Sequence, residues 1–569
     1  MTAILGINCF SHDTSACILV DGIPVAMGEE ERFNRDRHTK LFPDNAIQFC
    51  LEQAGLAMSD VDAVAFAHQP WKDFLLGASD ALARLSPKRL AAQSYVDARL
   101  VYRERYFRKR WGWRGAIYHV GHHLAHTASA YYASPFDSAA VLTLDRGGDF
   151  LSTTLSFAEG HRIKPLAKVR NPHSLGEVYS ALTWYLGFLP NADEGKVMGL
   201  APYGTDKYVD SLRGLLKLTS DGLFKVNLSW FNYQREGLPL SKRFIDKWGA
   251  PRVPESDIDD LHKDLSYAIQ VVTEEAALHI AKALQRTTGA RYLCLSGGVA
   301  LNSVMNTRIA REAGFDDVFI QPAAADCGNS LGAALFAWHQ MLGQARAWEM
   351  LHPYLGPAFT TADALIAMKS AGLDPVEIDD PAHSAASMIA DGKVIGWFQG
   401  RAEIGPRALG ARSIIADPRQ AEMRDRVNAQ VKRREWFRPF APSVVEQHAS
   451  TYFEDYIPNP FMLMVESIKQ EYRNKIAAVT HVDGTGRLQT VTKQSNAAFY
   501  DLIEETGKLT GIPVVLNTSF NLRGEPIVNR PEEAVADFLR SDMDALFIEG
   551  AMVTKDTHNL QKDTLKKDD

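Results

Sequence analysis

Cysteine is scarce in this 569-residue sequence: Cys9, Cys17, Cys50, Cys294 and Cys327 make an odd set, and no two form a C-x-x-C. That argues against a disulfide framework or a thiolate zinc site and predicts a reducing, cytoplasmic setting. No apolar run approaches the roughly 18 residues a membrane helix needs. No basic segment precedes an apolar one at the N-terminus, where His12 and Asp13 interrupt the pattern. Neither a membrane partner nor a signal peptide is therefore expected. A basic excess is missing too: 62 Lys and Arg stand against 69 Asp and Glu, a net charge of −7. A surface built to hold nucleic acid is usually basic, so nucleic acid is not an expected partner. What is present is an ordinary globular composition, 46% apolar and 23% charged. The length suggests two to four domains at roughly 100–200 residues each.

The first thirty residues alternate strand and turn. "AILGIN" is β-prone, "CFSHDTS" is polar, "ACILV" is a second strand, and Asp21-Gly22 is a hairpin signal before "IPVAMGEE". A weaker echo runs through 138–159, "SAAVLTLD" then "RGGD" then "FLSTTLSFA". The echo suggests an internal duplication, although two hairpins can look alike by chance. At 291–312 a strand, a Gly-Gly turn and a helix would set backbone N–H groups and a helix N-terminus for an anion. The irregular stretch 346–361 reads as a linker between a domain over 1–345 and a second α/β domain over 362–555. The polar tail 556–569 reads as disordered. Residues 81–114 carry ten basic and two acidic residues among aromatics. Such a run reads as the solvated face of a helix before it reads as a nucleic-acid surface.

"VGHHLAHTASAYYAS" places His122 and His126 at i and i+4, on one helical face. Asp145 ends the strand "VLTLD", and Asp326 precedes the small-residue helix in "PAAADCGNSLGAAL". Two His and two Asp suit iron, manganese or zinc better than magnesium. Satisfied polar residues at element ends would look the same, and His123 is either a third player or a neighbour. Further on, Arg407, Arg412 and Arg419, then Lys432 and Arg438, then Arg487, then Asn517, Thr518, Ser519 and Asn521 lie in Gly/Pro or apolar contexts. Their common chemistry is anion capture.

In order along the chain, "HDTSA" (12–16), "EEERF" (29–33), "HHLAH" (122–126), "EGKVMGLAPYG" (194–204), "SGGVALN" (296–302), "GPRALG" (405–410), "VKRREWFRPFAPSV" (431–444), "HVDGTGRLQTV" (481–491) and "LNTSFN" (516–521) resemble the O-carbamoyltransferases of antibiotic and nodulation-factor biosynthesis. The resemblance implies an α/β fold: an N-terminal duplicated actin/sugar-kinase-like ATPase domain, similar to the tRNA threonylcarbamoyl transferases, and a C-terminal YrdC-like domain. It implies that carbamoyl phosphate and ATP form carbamoyladenylate in the C-terminal domain. The carbamoyl group would then pass, in the N-terminal domain, to a hydroxyl of a small-molecule acceptor. By the same carry-over the metal ligands are His122, His126, Asp145 and Asp326. The expected metal is a divalent ion, iron first, with manganese or zinc as alternatives, and magnesium can accompany ATP. Carbamoyl phosphate would meet Arg407, Lys432, Arg438, Arg487 and Ser519. Nucleotide would meet Lys196, Gly297, Gly298 and Asn302. His12 lines the transfer site, as the base for the acceptor hydroxyl or as a binding residue. A homodimer is compatible with the sequence. Arg146 departs from the Asp-Gly usual after the first metal aspartate, and would be strained if that position needs a positive φ. A tRNA-modifying enzyme and a non-catalytic ATP-binding regulator stand as rival readings.

Overall fold

The computed structural model describes residues 1–69, 102–232 and 238–555. It divides into two units: Met1–Glu31 with His38–Met350, and Arg32–Arg37 with the chain from Leu351 onward. The break at Met350 lies inside the 346–361 stretch read as a linker. That Arg32–Arg37 clusters with the second unit was not expected. Most of the basic stretch 81–114 and the tail 556–569 lie outside the described residues. Among the described residues no helix is long and apolar enough to cross a membrane.

The first unit carries two five-stranded sheets. One holds β1 (Ala3–Asn8), β2 (Ser15–Val20), β3 (Ile23–Glu29), β4 (Ala63–Ala67) and β5 (Ala116–Val120), in the order β3-β2-β1-β4-β5. After helix α1 (His122–Tyr131), the second holds β6 (Ser138–Gly148), β7 (Leu151–Glu159), β8 (Arg162–Arg170), β9 (Tyr292–Ser296) and β10 (Asp317–Ile320), in the order β8-β7-β6-β9-β10. In both sheets the first strand pairs antiparallel with the second and the second with the third, while the first, fourth and fifth run parallel. The identical order and sense make the internal duplication a structural fact, in keeping with the duplicated ATPase fold that the resemblance implies. β1 is buried along its whole length, which is why it reads as an unbroken apolar run rather than an alternation.

Helices α2 (Asp260–Thr288), α3 (Ser303–Glu312) and α4 (Asn329–Phe336) complete the parts used below. α4 is buried on every side, so its small residues are packing residues. A Cβ at Gly332 would run into the backbone of Ala125 in α1. That close approach sets Asp326, just before α4, beside the histidines of α1. The helix after the Gly-Gly turn starts later than expected. Asn302 caps it by accepting from the Met305 N–H at 3.0 Å, and Gly298–Leu301 form a separate 3₁₀ turn.

The second unit is a mixed eight-stranded sheet. Its strands are β11 (Val376–Glu377), β12 (Ile395–Phe398), β13 (Arg412–Ala416), β14 (Ala441–Val445), β15 (Gln489–Val491), β16 (Val514–Ser519), β17 (Ala545–Ile548) and β18 (Ala551–Thr554), ordered β11-β18-β17-β12-β13-β16-β14-β15. Alternate residues serve different cores. Ile414, Val444, Leu516 and Leu546 pack with α5 (Thr361–Ser370) and α8 (Pro531–Arg540). Ile415, Val445, Val515 and Phe547 pack with α6 (Pro381–Ala390) and α7 (Ala497–Thr510). Helices therefore cover both faces, which explains strands that are apolar throughout.

Candidate functional site

The α1 helix forms where the i, i+4 pattern predicts it, and it turns His122 and His126 to one point. Their Nε2 atoms lie 3.2 Å apart. His122 Nε2 is 3.3 Å from Asp145 and 3.5 Å from Asp326, and His126 Nε2 is 3.4 Å from Asp326. Both histidines are fully buried. Metal–ligand bonds of ~2.0–2.2 Å put the corners of a tetrahedron about 3.3–3.6 Å apart, so these separations are those of donors around one ion. His122, His126, Asp145 and Asp326 thus fit a divalent transition metal, as two imidazoles and two carboxylates should.

The surroundings orient the donors. Asp145 accepts from the N–H groups of Gly298 (2.9 Å) and Gly147 (3.0 Å). His126 Nδ1 contacts Ser296 Oγ at 3.2 Å, and His122 Nδ1 contacts His68 Nε2 at 3.2 Å. His68 is itself 3.5 Å from Asp149, whose carboxylate also accepts from the His122 N–H at 2.5 Å. A Cβ at Gly148 would enter the His122 ring, so that position requires glycine. Burial pushes the His122 imidazole down, but the carboxylates of Asp326, Asp145 and Asp149 outweigh it and raise it to about 9. His123 is a neighbour, not a ligand: Thr143 Oγ1 (2.7 Å) and the Leu151 carbonyl (3.0 Å) take both ring nitrogens. Burial and His122 push it down to about 3. The strain expected at Arg146 does not arise. Its φ is negative, the left-handed positions fall at Asp149 (φ 50°) and Phe150 (φ 60°), and its Nε donates to Glu177 at 2.9 Å.

The other first-unit positions are placed as follows. His12 sits in the loop after β1, its Nδ1 2.8 Å from Asp13. The Gly297 N–H donates to the Ala324 carbonyl. Lys196 lies 3.0 Å from Asp193. Asn302 exchanges two hydrogen bonds with Gln270 of α2.

In the second unit Arg407, Arg434, Arg438 and Arg487 gather, each half-buried. Burial, and then the charges of the other arginines, depress the basicity of three of them: Arg407 falls to about 10 beside Arg438, and Arg434 and Arg487 fall well below the usual range. Glu435 lies beside this cluster, 3.8 Å from Arg438. A gathering of four guanidinium groups suits a multiply charged anion. A buried network holds the arginine-bearing loop. Asn517 donates to the Ala408 carbonyl (3.2 Å), to Ser443 Oγ and to Gln489 Oε1, and Gln489 donates to the Leu409 carbonyl (2.9 Å). Glu403 accepts from the Leu409 N–H at 2.6 Å.

Several residues read as anion donors have other work here. Asn517 is buried and grips the loop. Arg412 is fully buried, donates to the carbonyls of Gln399 and Pro357 and lies 3.5 Å over the Phe398 ring. Arg419 pairs with Asp417. Lys432 Nζ donates to Ser519 and Asn521 at 2.6–3.3 Å, so its N–H groups are taken up in fastening the end of β16. Arg434, His68 and Asp149 were missed from sequence. His68 had a usable signal, since it follows the apolar run Ala63–Ala67 as Asp145 follows the apolar residues before it.

The family profile "Carbamoyltransferase N-terminus" matches residues 3–335, and "Carbamoyltransferase C-terminus" matches 386–555. An uncharacterised protein of Synechocystis sp. is 40% identical over 98% of this chain and 97% of its own. Nodulation protein NolNO of Sinorhizobium fredii is 40% identical over 97% of this chain and 80% of its own. Among solved structures, the (R)-2-hydroxyglutaryl-CoA dehydratase component A of Acidaminococcus fermentans covers 59% of this chain and 97% of its own, at 14% identity and a TM-score of 0.35. With both halves matched, and with four donors that could hold a metal ion and a guanidinium cluster lying in the matched segments, the chain belongs to the carbamoyltransferase family and is a carbamoyltransferase.

Proposed function

We propose that this enzyme is an ATP-dependent O-carbamoyltransferase that takes carbamoyl phosphate, forms carbamoyladenylate and delivers the carbamoyl group to a hydroxyl of a small molecule. The observation that carries the reading is the gathering of Arg407, Arg434, Arg438 and Arg487. Carbamoyl phosphate and the phosphates of ATP are the multiply charged anions such a cluster suits. Hydrolysis of carbamoyl phosphate by one water frees carbamate and inorganic phosphate, and the carbamate attacks the α-phosphorus of ATP and expels pyrophosphate. The product is a mixed anhydride whose AMP is a far better leaving group than the hydroxide of carbamate. We read this step as belonging to a YrdC-like second unit.

Transfer belongs to the first unit. The acceptor oxygen bonds the carbamoyl carbon, its proton passes to His12, and the bond to AMP breaks. A positioned base of this kind is typically worth 10²–10⁴-fold. Gly297, Gly298, Lys196 and Asn302 are the nucleotide contacts in this reading. A divalent ion held by His122, His126, Asp145 and Asp326 supplies positive charge against the departing phosphate.

The test is incubation of the full chain with ATP, ¹³C-carbamoyl phosphate and a panel of hydroxylated acceptors. AMP, pyrophosphate and an acceptor heavier by one carbamoyl group are expected. Carbamoylation without ATP consumption, or ATP consumption indifferent to carbamoyl phosphate, would overturn the scheme.

A further inference from the structure

His12 is not alone in its loop. Asp13 stands between it and His38: His12 Nδ1 is 2.8 Å from one carboxylate oxygen, and His38 Nδ1 is 2.7 Å from the other. The two rings stack with centroids 4.6 Å apart. They come from different stretches, the loop after β1 and the segment that follows Arg32–Arg37. Both are held tightly. Asn8 Nδ2 donates to the carbonyls of His12 (3.3 Å) and Asp13 (3.1 Å), and the His38 N–H donates to Glu31 at 2.7 Å. Asp13 (φ 53°) and His38 (φ 57°) both take left-handed backbone, a conformation that costs energy in residues with side chains and concentrates at functional sites.

The hydrogen-bond chemistry fixes the tautomers. An ionised carboxylate only accepts, so each Nδ1 that touches Asp13 carries a proton, and in the neutral ring Nε2 carries the lone pair. Asp13 is ionised: burial opposes its charge, but the two imidazole contacts hold its carboxyl well below the usual range. The Nε2 of His38 is buried and has no hydrogen-bond partner.

We propose that Asp13 and His38 are positioning residues for His12, with the shared carboxylate holding the His12 ring as the Nδ1–H tautomer so that its Nε2 receives the acceptor proton, and with His38 pinning the carboxylate from the other side. The proposal rests on the base reading of His12 given above. A proton arriving at Nε2 turns His12 into an imidazolium already hydrogen-bonded to a carboxylate, and no ring has to turn. His38 takes up the second oxygen of Asp13, which stops the carboxylate from rotating away. The same three residues could instead bind a cation, but the ring nitrogens facing the carboxylate are occupied by protons.

Two measurements on the full-length protein test this. In protein labelled with ¹⁵N-histidine, the resonances lost in His12→Gln and in His38→Gln identify the two rings. Both are expected as Nδ1–H tautomers, and Asp13→Asn should abolish that pattern in both. A His12 found as the Nε2–H tautomer, or broadening of the pair by added Zn²⁺ at stoichiometric concentration, would overturn the proposal. Second, AMP release from ATP and carbamoyl phosphate is followed with water as the probe acceptor. His38→Ala should slow it roughly 10- to 100-fold, the range for removing an orienting partner. His38→Asn, which returns an N–H in the Nδ1 position, should recover most of the rate. His38→Ala added to His12→Ala should cost nothing more, because His38 acts through His12. Additive losses would assign His38 a separate structural role and refute the inference while leaving the base reading intact. An unchanged rate in His12→Ala would refute the base reading itself, and the tautomers would then decide the geometry alone.

Discussion

The Nε2 atoms of His122 and His126, one helical turn apart, face each other at 3.2 Å with Asp326 within 3.5 Å of both. Without an ion, the carboxylates keep a proton on His122, whose imidazole is raised to about 9. A ligating imidazole must be neutral, so metal uptake has to expel that proton. Calorimetric titration in buffers of different ionisation enthalpy should show about one proton released at neutral pH. Apparent affinity should rise about tenfold per pH unit from this group and level off as pH passes about 9. His122→Ala and His126→Ala should each lose metal while the circular dichroism spectrum is retained.

Gly148→Ala makes a finer test. Its Cβ would enter the His122 ring, so the ring must shift although every donor residue remains. Metal analysis should show the occupancy falling with no change in the ligand set. Full occupancy in Gly148→Ala would mean the loop after Asp145 yields.

Arg487 and Arg412 are two arginines of one unit, and their replacement should have opposite signatures. Arg487→Ala removes a member of the anion cluster and should raise the carbamoyl phosphate requirement about 10- to 150-fold, the value of a charge-assisted contact worth roughly 1.5–3 kcal/mol. Arg407→Ala should behave alike. Arg412→Ala instead strips donors from buried carbonyls and should lower the unfolding midpoint, with little change in carbamoyl phosphate KM.

The duplication in the first unit was legible because hairpin chemistry is local: Asp21-Gly22 and the alternation around it need no distant partner. That His122, His126, Asp145 and Asp326 come together was legible for a related reason, since two of them share a helical face and the others follow an apolar run or precede a helix. His68 and Asp149 were not legible, because what makes them matter is a ring nitrogen of His122 supplied by another element. Arg434 was hidden in a run of basic residues, where sequence does not say which ones turn inward. Asn517, which the structure places in a buried network with Ser443 and Gln489, was read as an anion donor because a polar residue on an apolar strand looks the same whether it meets a phosphate or a backbone carbonyl.

A division of labour between the units predicts unlike failures. Arg438→Ala should stop adenylate formation, and added carbamoyladenylate should restore acceptor carbamoylation. Asp326→Ala should still consume carbamoyl phosphate in the second unit, and added adenylate should not rescue it. Rescue of both variants, or of neither, would argue for a single reaction centre.

The Arg32–Arg37 segment ties these matters to heredity. Arg35 donates to the carbonyls of Pro526 (2.8 Å) and Ile527 (2.7 Å), and Arg32 donates to that of Gly405. The second unit is therefore finished by a clasp encoded far upstream, inside the gene segment of the first. The two halves cannot be shuffled as independent cassettes. A fusion that takes the C-terminal half from one relative and the N-terminal half from another inherits a clasp selected for a different body. Recombination within this lineage should favour crossovers that keep Arg32 and Arg35 with the Gly405 and Pro526 loops they secure.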